Sequence, residues 1–136
     1  AVTDENKRQA IALALGHARA ARQAAQALRD LALYNDALSR LYYALFHVMT
    51  ALLLTEGVEP RRHRALPALL GERFGHLLDA GDVAAVSRAA TYRDLADYER
   101  TWHATRVVVD AASAELEPLF DRVMAHLAAA GYGEAR

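Results

Sequence analysis

The chain has 136 residues, a formal net charge of −1 and no cysteine, and 54% of its residues are hydrophobic. This length corresponds to one domain, and an apolar content rich in Ala and Leu favours an all-α protein. The lack of cysteine excludes disulfides, thiol catalysis and thiolate metal sites, and the small net charge gives no global electrostatic case for nucleic-acid binding. We see no apolar run of about 18 residues and no signal peptide, so we expect a cytoplasmic protein with no membrane segment.

The first predicted helix begins at an N-cap, Thr3 or Asp4, and reaches about Leu31. Apolar residues at three- and four-residue steps give this helix a buried side. Its arginines fall elsewhere and are interpreted as a solvated face: Arg8, Arg19, Arg22 and Arg29. The second helix is expected to be capped by Asn35 or Asp36 and to end at Gly57.

The third predicted helix starts near Pro60, since proline suits a first turn, and runs to about Leu78. Gly71 and Gly75 lie four positions apart in it and would permit a close crossing with another helix. Positive residues cluster at its predicted start, from Arg61 to Arg64. Because the helix dipole disfavours positive charge at this end, the cluster is a candidate anion site, and the alternative is a solvated loop.

The fourth and fifth predicted helices complete an up-and-down bundle. Gly81 would end the third helix, and Asp82 would cap the fourth, which runs to about residues 98–100. The fifth spans about residues 104–130, with a kink or restart at Pro118, because proline inside a helix costs about 3 kcal/mol.

Two polar residues, Arg40 and His47, lie within the second helix, the most apolar of the five. Their spacing of seven puts them on one helix face with Tyr43, with Cα atoms about 10.5 Å apart, so both could touch one small anion. In RNA cleavage a His can move the 2′-OH proton or protonate the leaving oxygen, while an Arg stabilises the phosphorane, and no metal is needed. The alternative is a satisfied polar network inside the bundle.

A second constellation, Arg93 with Asp97 and Tyr98, lies near the end of the fourth helix. Arg93 and Asp97 are four positions apart and can pair across one turn, so one interpretation is a surface ion pair beside a core Tyr98. The other is that Arg93 faces Arg40 and His47 across the bundle or across a dimer axis, with Asp97 orienting one of them. Other histidines form no metal-ligand spacing, and we expect neither a metal nor a cofactor: His17, His76, His103 and His126.

Three segments resemble the HEPN family of small helical domains: SRLYYALFH at residues 39–47, ALLLTEGVEPRRHRAL at 51–66 and RDLADY at 93–98. The order and spacing of these segments are most similar to those of the stand-alone branch, which is often paired with a minimal nucleotidyltransferase. The resemblance implies a single helical-bundle domain over residues 1–136, with a core of about 4–130. It also implies a homodimer and a toxin–antitoxin-like pair.

The resemblance implies particular site residues as well. The nuclease signature of the family is Arg, four to six residues, then His, which the spacing of Arg40 and His47 meets. The family signature normally lies in the region of Arg93, where this chain has Tyr98 in place of the His. The resemblance therefore implies Arg40, His47 and Arg93 as catalytic candidates.

Binding roles are expected for five further residues: Tyr43, Arg62, His63, Asp97 and Tyr98. Among these, His63 matches the His of a loop motif of the family, and Tyr98 is the nearest equivalent of a Tyr that nucleotidyltransferase partners modify. Three functions stay open: a metal-independent ribonuclease toxin acting on RNA, a non-catalytic nucleotide- or partner-binding dimer, and a purely structural dimer.

Overall fold

The computed structural model describes residues 4–132, in which there are five α-helices and no strand. The helices are α1 (Asp4–Asp30), α2 (Tyr34–Leu54), α3 (Leu66–Arg73), α4 (Ala80–Tyr98) and α5 (Arg106–Leu127). A 3-10 turn, His63–Ala65, precedes α3, and a π-helical turn, Ala128–Tyr132, follows α5. The predicted all-α bundle of about five helices is confirmed.

Helix α2 runs through the centre of the bundle and contacts each of the other four helices. Its residues Val48, Met49, Leu52 and Leu53 are wholly shielded from solvent. By length and composition α2 could cross a membrane, but 67% of its most apolar window is buried inside the bundle. Because α2 is buried in this way, its apolar sequence is that of a core helix.

Ion pairs join α1 to α5, so the prediction of a solvated arginine face on α1 is wrong for Arg22 and Arg29, whereas Arg8 is exposed. Arg22 contacts Asp121 at 2.9 Å and Glu117 at 2.5 Å. Two helical turns further along α1, Arg29 contacts Asp110 at 2.6 Å. The prediction failed because α5 places acidic residues opposite these arginines, and the sequence of α1 alone carries no information about its neighbour.

The C-termini of α1 and α2 have the same hydrogen-bonded geometry but different residues at the left-handed position. After α1 the position is Ala32, with φ of 62°, and the N–H of Leu33 donates to the carbonyl of Leu28 at 2.9 Å. After α2 it is Gly57, with φ of 71°, which ends the helix as predicted. This backbone conformation suits glycine and costs energy for alanine.

The starts of three helices differ from the prediction. The N-cap position of α2 is Leu33, without a side-chain hydrogen bond, and neither Asn35 nor Asp36 caps it. The side chain of Asn35 instead forms hydrogen bonds with the backbone of the loop before α5. Of the two predicted N-caps of α1, Thr3 lies outside the described residues, and Asp4 is the first described residue and is already helical.

Helix α3 begins at Leu66 rather than near Pro60, and Pro67 occupies its first turn. It ends at Arg73, and a side chain at Gly71 would meet nothing within 4 Å, so no close crossing occurs there. Residues 58–60 have no regular structure and residues 61–62 form a bend, so the chain enters the helix later than the proline rule suggested.

Helix α4 is capped by Asp79 rather than Asp82. The side chain of Asp79 accepts from the N–H of Asp82 at 2.8 Å, and that of Asp82 accepts from the N–H of Asp79 at 3.0 Å. This reciprocal capping box places Gly81 inside the first turn instead of at a helix end. Helix α5 is continuous through Pro118, so the helix does not restart there. Pro118 and Ala114, whose carbonyl loses its donor, are both exposed, so water can satisfy that carbonyl.

Candidate functional site around Tyr43 and His63

The ring of Tyr43 lies at the centre of a cluster of polar side chains from α2 and α4. The Arg40 guanidinium carbon is 4.7 Å from the ring centroid, and the His47 ring centroid is 6.3 Å away. From α4, the Nη1 of Arg93 donates to the hydroxyl of Tyr43 at 3.4 Å. Arg40, His47 and Arg93, the three catalytic candidates, therefore all lie beside the Tyr43 ring. The packing of α4 on α2 brings them together.

Arg93 is held among tyrosine rings. Its guanidinium carbon lies 5.3 Å from the ring centroid of Tyr42, 5.8 Å from that of Tyr43 and 5.7 Å from that of Tyr98. Its side chain is only 14% exposed and pairs with Asp94 at 3.0 Å. Its buried Nε has no hydrogen-bond partner among the described residues. Cation–π attraction compensates part of the lost hydration and leaves donor capacity unused.

The side chains of Asp97 and Tyr98 do not adopt the predicted arrangement. Asp97 accepts from the hydroxyl of Ser39 at 3.3 Å, while the acidic partner of Arg93 is its neighbour Asp94, so the expected pair across one turn is absent from the described residues. Tyr98 is 70% exposed and is not a core residue. As the last residue of α4 it leaves the bundle where the helix ends.

His63 lies in the 3-10 turn before α3, and the core side of α2 fixes its ring. The Nδ1 of His63 is 2.8 Å from the hydroxyl of Tyr42, and the Phe46 ring stacks on the imidazole with centroids 4.1 Å apart and planes 5° apart. Burial raises the pKa of Tyr42 to about 12, so the phenol keeps its proton and can donate to Nδ1. When the hydroxyl donates to Nδ1, the hydrogen of the neutral imidazole is on Nε2.

The pKa values of His63 and His47 are both lowered. For His63 the causes are burial and then the positive charge of Arg93. For His47 they are burial and then the nearby His17, Arg40 and His63. Both imidazoles are therefore neutral at pH 7, and His47 can accept a proton.

His17 belongs to this cluster, although its position in the sequence was not predicted to lie at the site. Its ring centroid is 5.3 Å from that of His47. Both residues are fifteen positions from Ala32, where α1 turns into α2. An antiparallel helical hairpin brings residues equally far from its turn to the same level, so this symmetry was the signal that could have found the pair.

The basic residues of the loop before α3 are divided between solvent and a cleft. Arg61, Arg62 and Arg64 are exposed, whereas His63 is half-buried. Arg62, His63 and Arg64 line a cleft of about 540 Å³ together with Arg93 of α4. In residues 4–132 no group of three or more His, Asp or Glu side chains could hold a metal ion.

Comparison with known proteins gives matches over the part of the chain that contains the site residues. A model of the HEPN domain family matches residues 12–124. A Methanocaldococcus jannaschii protein named "Putative toxin MJ0142" is 32% identical over 81 residues, which is 58% of this chain and 55% of the relative. "Putative toxin MJ0605" of the same organism is 43% identical over 51 residues, 38% of each chain.

A third relative, "UPF0332 protein PH1297" of Pyrococcus horikoshii, is 42% identical over 40 residues, 29% of this chain and 28% of that protein. The chain thus spans about half or less of the length of the curated relatives it matches. The family model, in contrast, covers most of the chain and includes all three polar segments of the site. The five-helix bundle agrees with that match, and the chain belongs to the HEPN domain family.

Proposed function

We propose that this chain is the toxin-like member of a cytoplasmic two-protein pair whose other member is a minimal nucleotidyltransferase, and that it cleaves RNA without a metal ion. Two of the relatives above carry the word toxin in their names. The observation that carries the catalytic part is the contact of Arg40, His47 and Arg93 with the one ring of Tyr43.

The proposed reaction uses these side chains as base and charge stabilisers. Neutral His47 takes the proton of a ribose 2′-hydroxyl, and the 2′-oxygen attacks the adjacent phosphorus. Arg40 and Arg93 stabilise the negative charge that develops on the phosphoryl oxygens. The bond to the 5′-oxygen breaks, and that oxygen takes a proton, for which His17 beside His47 is our candidate donor. The products are a 2′,3′-cyclic phosphate and a 5′-hydroxyl end.

The direct test is incubation of purified protein with RNA in EDTA. Wild type should cleave and leave cyclic-phosphate ends, and His47→Ala should lose activity by about 100-fold or more, the usual contribution of a general base. His76→Ala, an exposed histidine in the loop after α3, serves as the matched control and should cleave like wild type. Equal cleavage by His47→Ala, or loss of wild-type cleavage in EDTA, would contradict the proposal.

A second candidate function, a non-catalytic nucleotide- or partner-binding dimer module, is favoured by one observation. Tyr98 stands where a nuclease of the family has its His, is 70% exposed, and its ring lies 5.7 Å from the Arg93 guanidinium carbon. In this version the nucleotidyltransferase partner transfers the adenylyl group of ATP to the Tyr98 hydroxyl: the phenol oxygen attacks the α-phosphorus, the phenol gives up its proton and pyrophosphate leaves. Mass spectrometry after co-expression should show the adduct on the wild-type peptide and not in Tyr98→Phe. An unmodified Tyr98 peptide would count against modification.

We further propose that two copies pair through the α2 and α4 faces that carry the polar residues. Arg40 and Tyr98 are exposed on these faces, so a second copy could cover them. Sedimentation at micromolar concentration should show a dimer. A monomer under these conditions would rule out the pairing without affecting the catalytic test.

A further inference from the structure

His17 of α1 and His47 of α2 form a pair of imidazoles at the edge of the cluster around Tyr43. Their ring centroids are 5.3 Å apart. His17 is exposed and His47 is half-buried, so solvent reaches the pair. Among residues 4–132 no hydrogen bond joins the two rings, and the other ring contacts of His47 are with Tyr43 and Phe46. The ring nitrogens of the pair are therefore available to a ligand from solvent.

The packing of α1 on α2 sets the separation of the pair. Ala14 and Ala18 flank His17 on α1 and are buried. Val48 follows His47 on α2 and is wholly shielded from solvent. A site on packed helices is held more precisely than a site on loops. The core therefore fixes the backbone positions from which the two imidazoles project.

This separation fits the binding of one metal ion by both rings. With zinc–nitrogen bonds of about 2.1 Å and tetrahedral angles, two ligating imidazole centroids lie about 5.2 Å apart. The observed 5.3 Å agrees with that value, and the exposed His17 ring can rotate to direct a nitrogen at the ion. Sequence spacing predicted no metal site because the two histidines lie on different helices.

The charges around the pair determine which ion it suits. The pKa of His47 is lowered, first by burial and then by His17 and Arg40, so this imidazole keeps a lone pair at pH 7. Neutral imidazole is a good ligand for Zn²⁺, Cu²⁺ and Ni²⁺, whereas Mg²⁺ prefers oxygen ligands. Because Arg40 repels any cation, binding should be weaker than at a structural site with four protein ligands.

We propose that His17 and His47 together bind one Zn²⁺ ion, or a similar ion that prefers imidazole, with water in its remaining positions. The ion occupies the lone pair with which His47 accepts a ribose proton, and it also engages His17, the candidate proton donor. Zinc therefore stops the cleavage proposed above, and this regulatory role rests on that proposed function. Binding of the ion itself does not depend on cleavage.

The test is calorimetric titration of the full chain, free of any histidine tag, with zinc chloride and separately with magnesium chloride. Wild type should bind zinc and not magnesium. His17→Gln, at an exposed position, should weaken zinc binding about 10-fold or more, because it removes one of the two protein ligands. His76→Gln, at an exposed position in the loop after α3, is the matched control and should bind zinc like wild type.

NMR of the imidazole protons provides a second measurement, on wild type alone. Zinc should shift the signals of His17 and His47 and leave those of His76 in place. The metal site would be overturned by a wild type that binds no zinc, or by wild-type affinity in His17→Gln. An equal loss of affinity in His76→Gln, or unshifted His17 and His47 signals, would overturn it as well.

A cleavage assay distinguishes this inference from the proposed function. Zinc at concentrations that fill the site should inhibit RNA cleavage by wild type, and EDTA should restore it. Cleavage that continues with the site filled would overturn the regulatory role. If wild type does not cleave RNA in EDTA, the ribonuclease proposal fails, while calorimetry and NMR still decide the metal site. Conversely, cleavage by a protein that binds no zinc would remove this inference alone.

Discussion

The hydroxyl of Tyr42 lies 2.8 Å from the Nδ1 of His63, and this hydrogen bond joins the core of α2 to the loop before α3. Tyr42 is 1% exposed, so its ring is held by the bundle and its hydroxyl by a single loop residue. Phe46, one turn further along α2, stacks on the same imidazole. The position of the basic loop therefore depends on the packing of the core helix.

Removing the Tyr42 hydroxyl should loosen this loop. Tyr42→Phe keeps the ring in the core but leaves the Nδ1 of His63 without its partner, so the free energy of unfolding should fall by about 1–2 kcal/mol. Urea denaturation measures the change, and NMR of the imidazole should show altered His63 ring signals. Tyr92→Phe, at a half-buried ring beside Trp102, is the control and should leave the His63 signals unchanged. Wild-type stability together with wild-type His63 signals in Tyr42→Phe would contradict the assigned role of the bond.

Stability should decrease as the pH falls through the ordinary histidine range. The pKa values of His47 and His63 are lowered from 6.5, so below that pH the unfolded chain takes up protons that the folded protein resists. The free energy of unfolding should thus be fully retained above pH 6.5 and fall progressively as the pH drops below it, towards the lowered pKa values. Urea denaturation at a series of pH values checks this.

The double variant His47→Gln, His63→Gln should depend less on pH than wild type over the same range. Arg61→Gln is the control, because it alters the loop that carries His63 but removes no imidazole. Its stability should depend on pH as that of wild type does. If the free energy of unfolding of the double variant falls with pH as steeply as that of wild type, other groups cause the effect.

Ala32→Gly should stabilise the protein. Ala32 adopts a φ of 62° at the end of α1, a conformation that is costly for a residue with a Cβ and free for glycine. The expected gain in the free energy of unfolding is about 0.5–1 kcal/mol, after the larger entropy of glycine in the unfolded chain is counted. Thermal unfolding measures it. The same substitution at Ala20, exposed within α1, should destabilise by about 0.5–1 kcal/mol, and a loss at Ala32 would refute the argument.

Asn35→Ala should release the loop between α4 and α5. The Asn35 side chain donates to the carbonyl of Trp102 at 3.2 Å and accepts from the N–H of Ala104 at 2.7 Å. Its removal leaves two partly buried backbone groups unpaired, at a cost of about 1–3 kcal/mol. Amide hydrogen exchange at Ala104 should accelerate together with the loss of stability. Asp36→Ala next to it should leave this exchange unchanged, and unaltered protection of Ala104 in Asn35→Ala would argue against the clamp.

Much of the fold was predictable from local pattern. The three- and four-residue steps of apolar side chains identified the helices and α2 as their core, since the period of a helix determines which residues share a face. The same rule placed Arg40, Tyr43 and His47 together, because they lie on one element. Helix starts were less predictable, as at α4, where two aspartates compete and a reciprocal pair of hydrogen bonds decides for Asp79.

By itself, the sequence determined the helical bundle, its family and the common face of Arg40 and His47. Only the tertiary structure decided that His17 lies beside His47, that Tyr42 holds His63, and that Asp97 bonds Ser39 instead of Arg93. The physical reason is that periodicity gives the direction of a side chain from its own helix. The group that it meets there depends on how the other helices pack, and hydrogen bonds and ion pairs form with whichever partner that packing brings within reach.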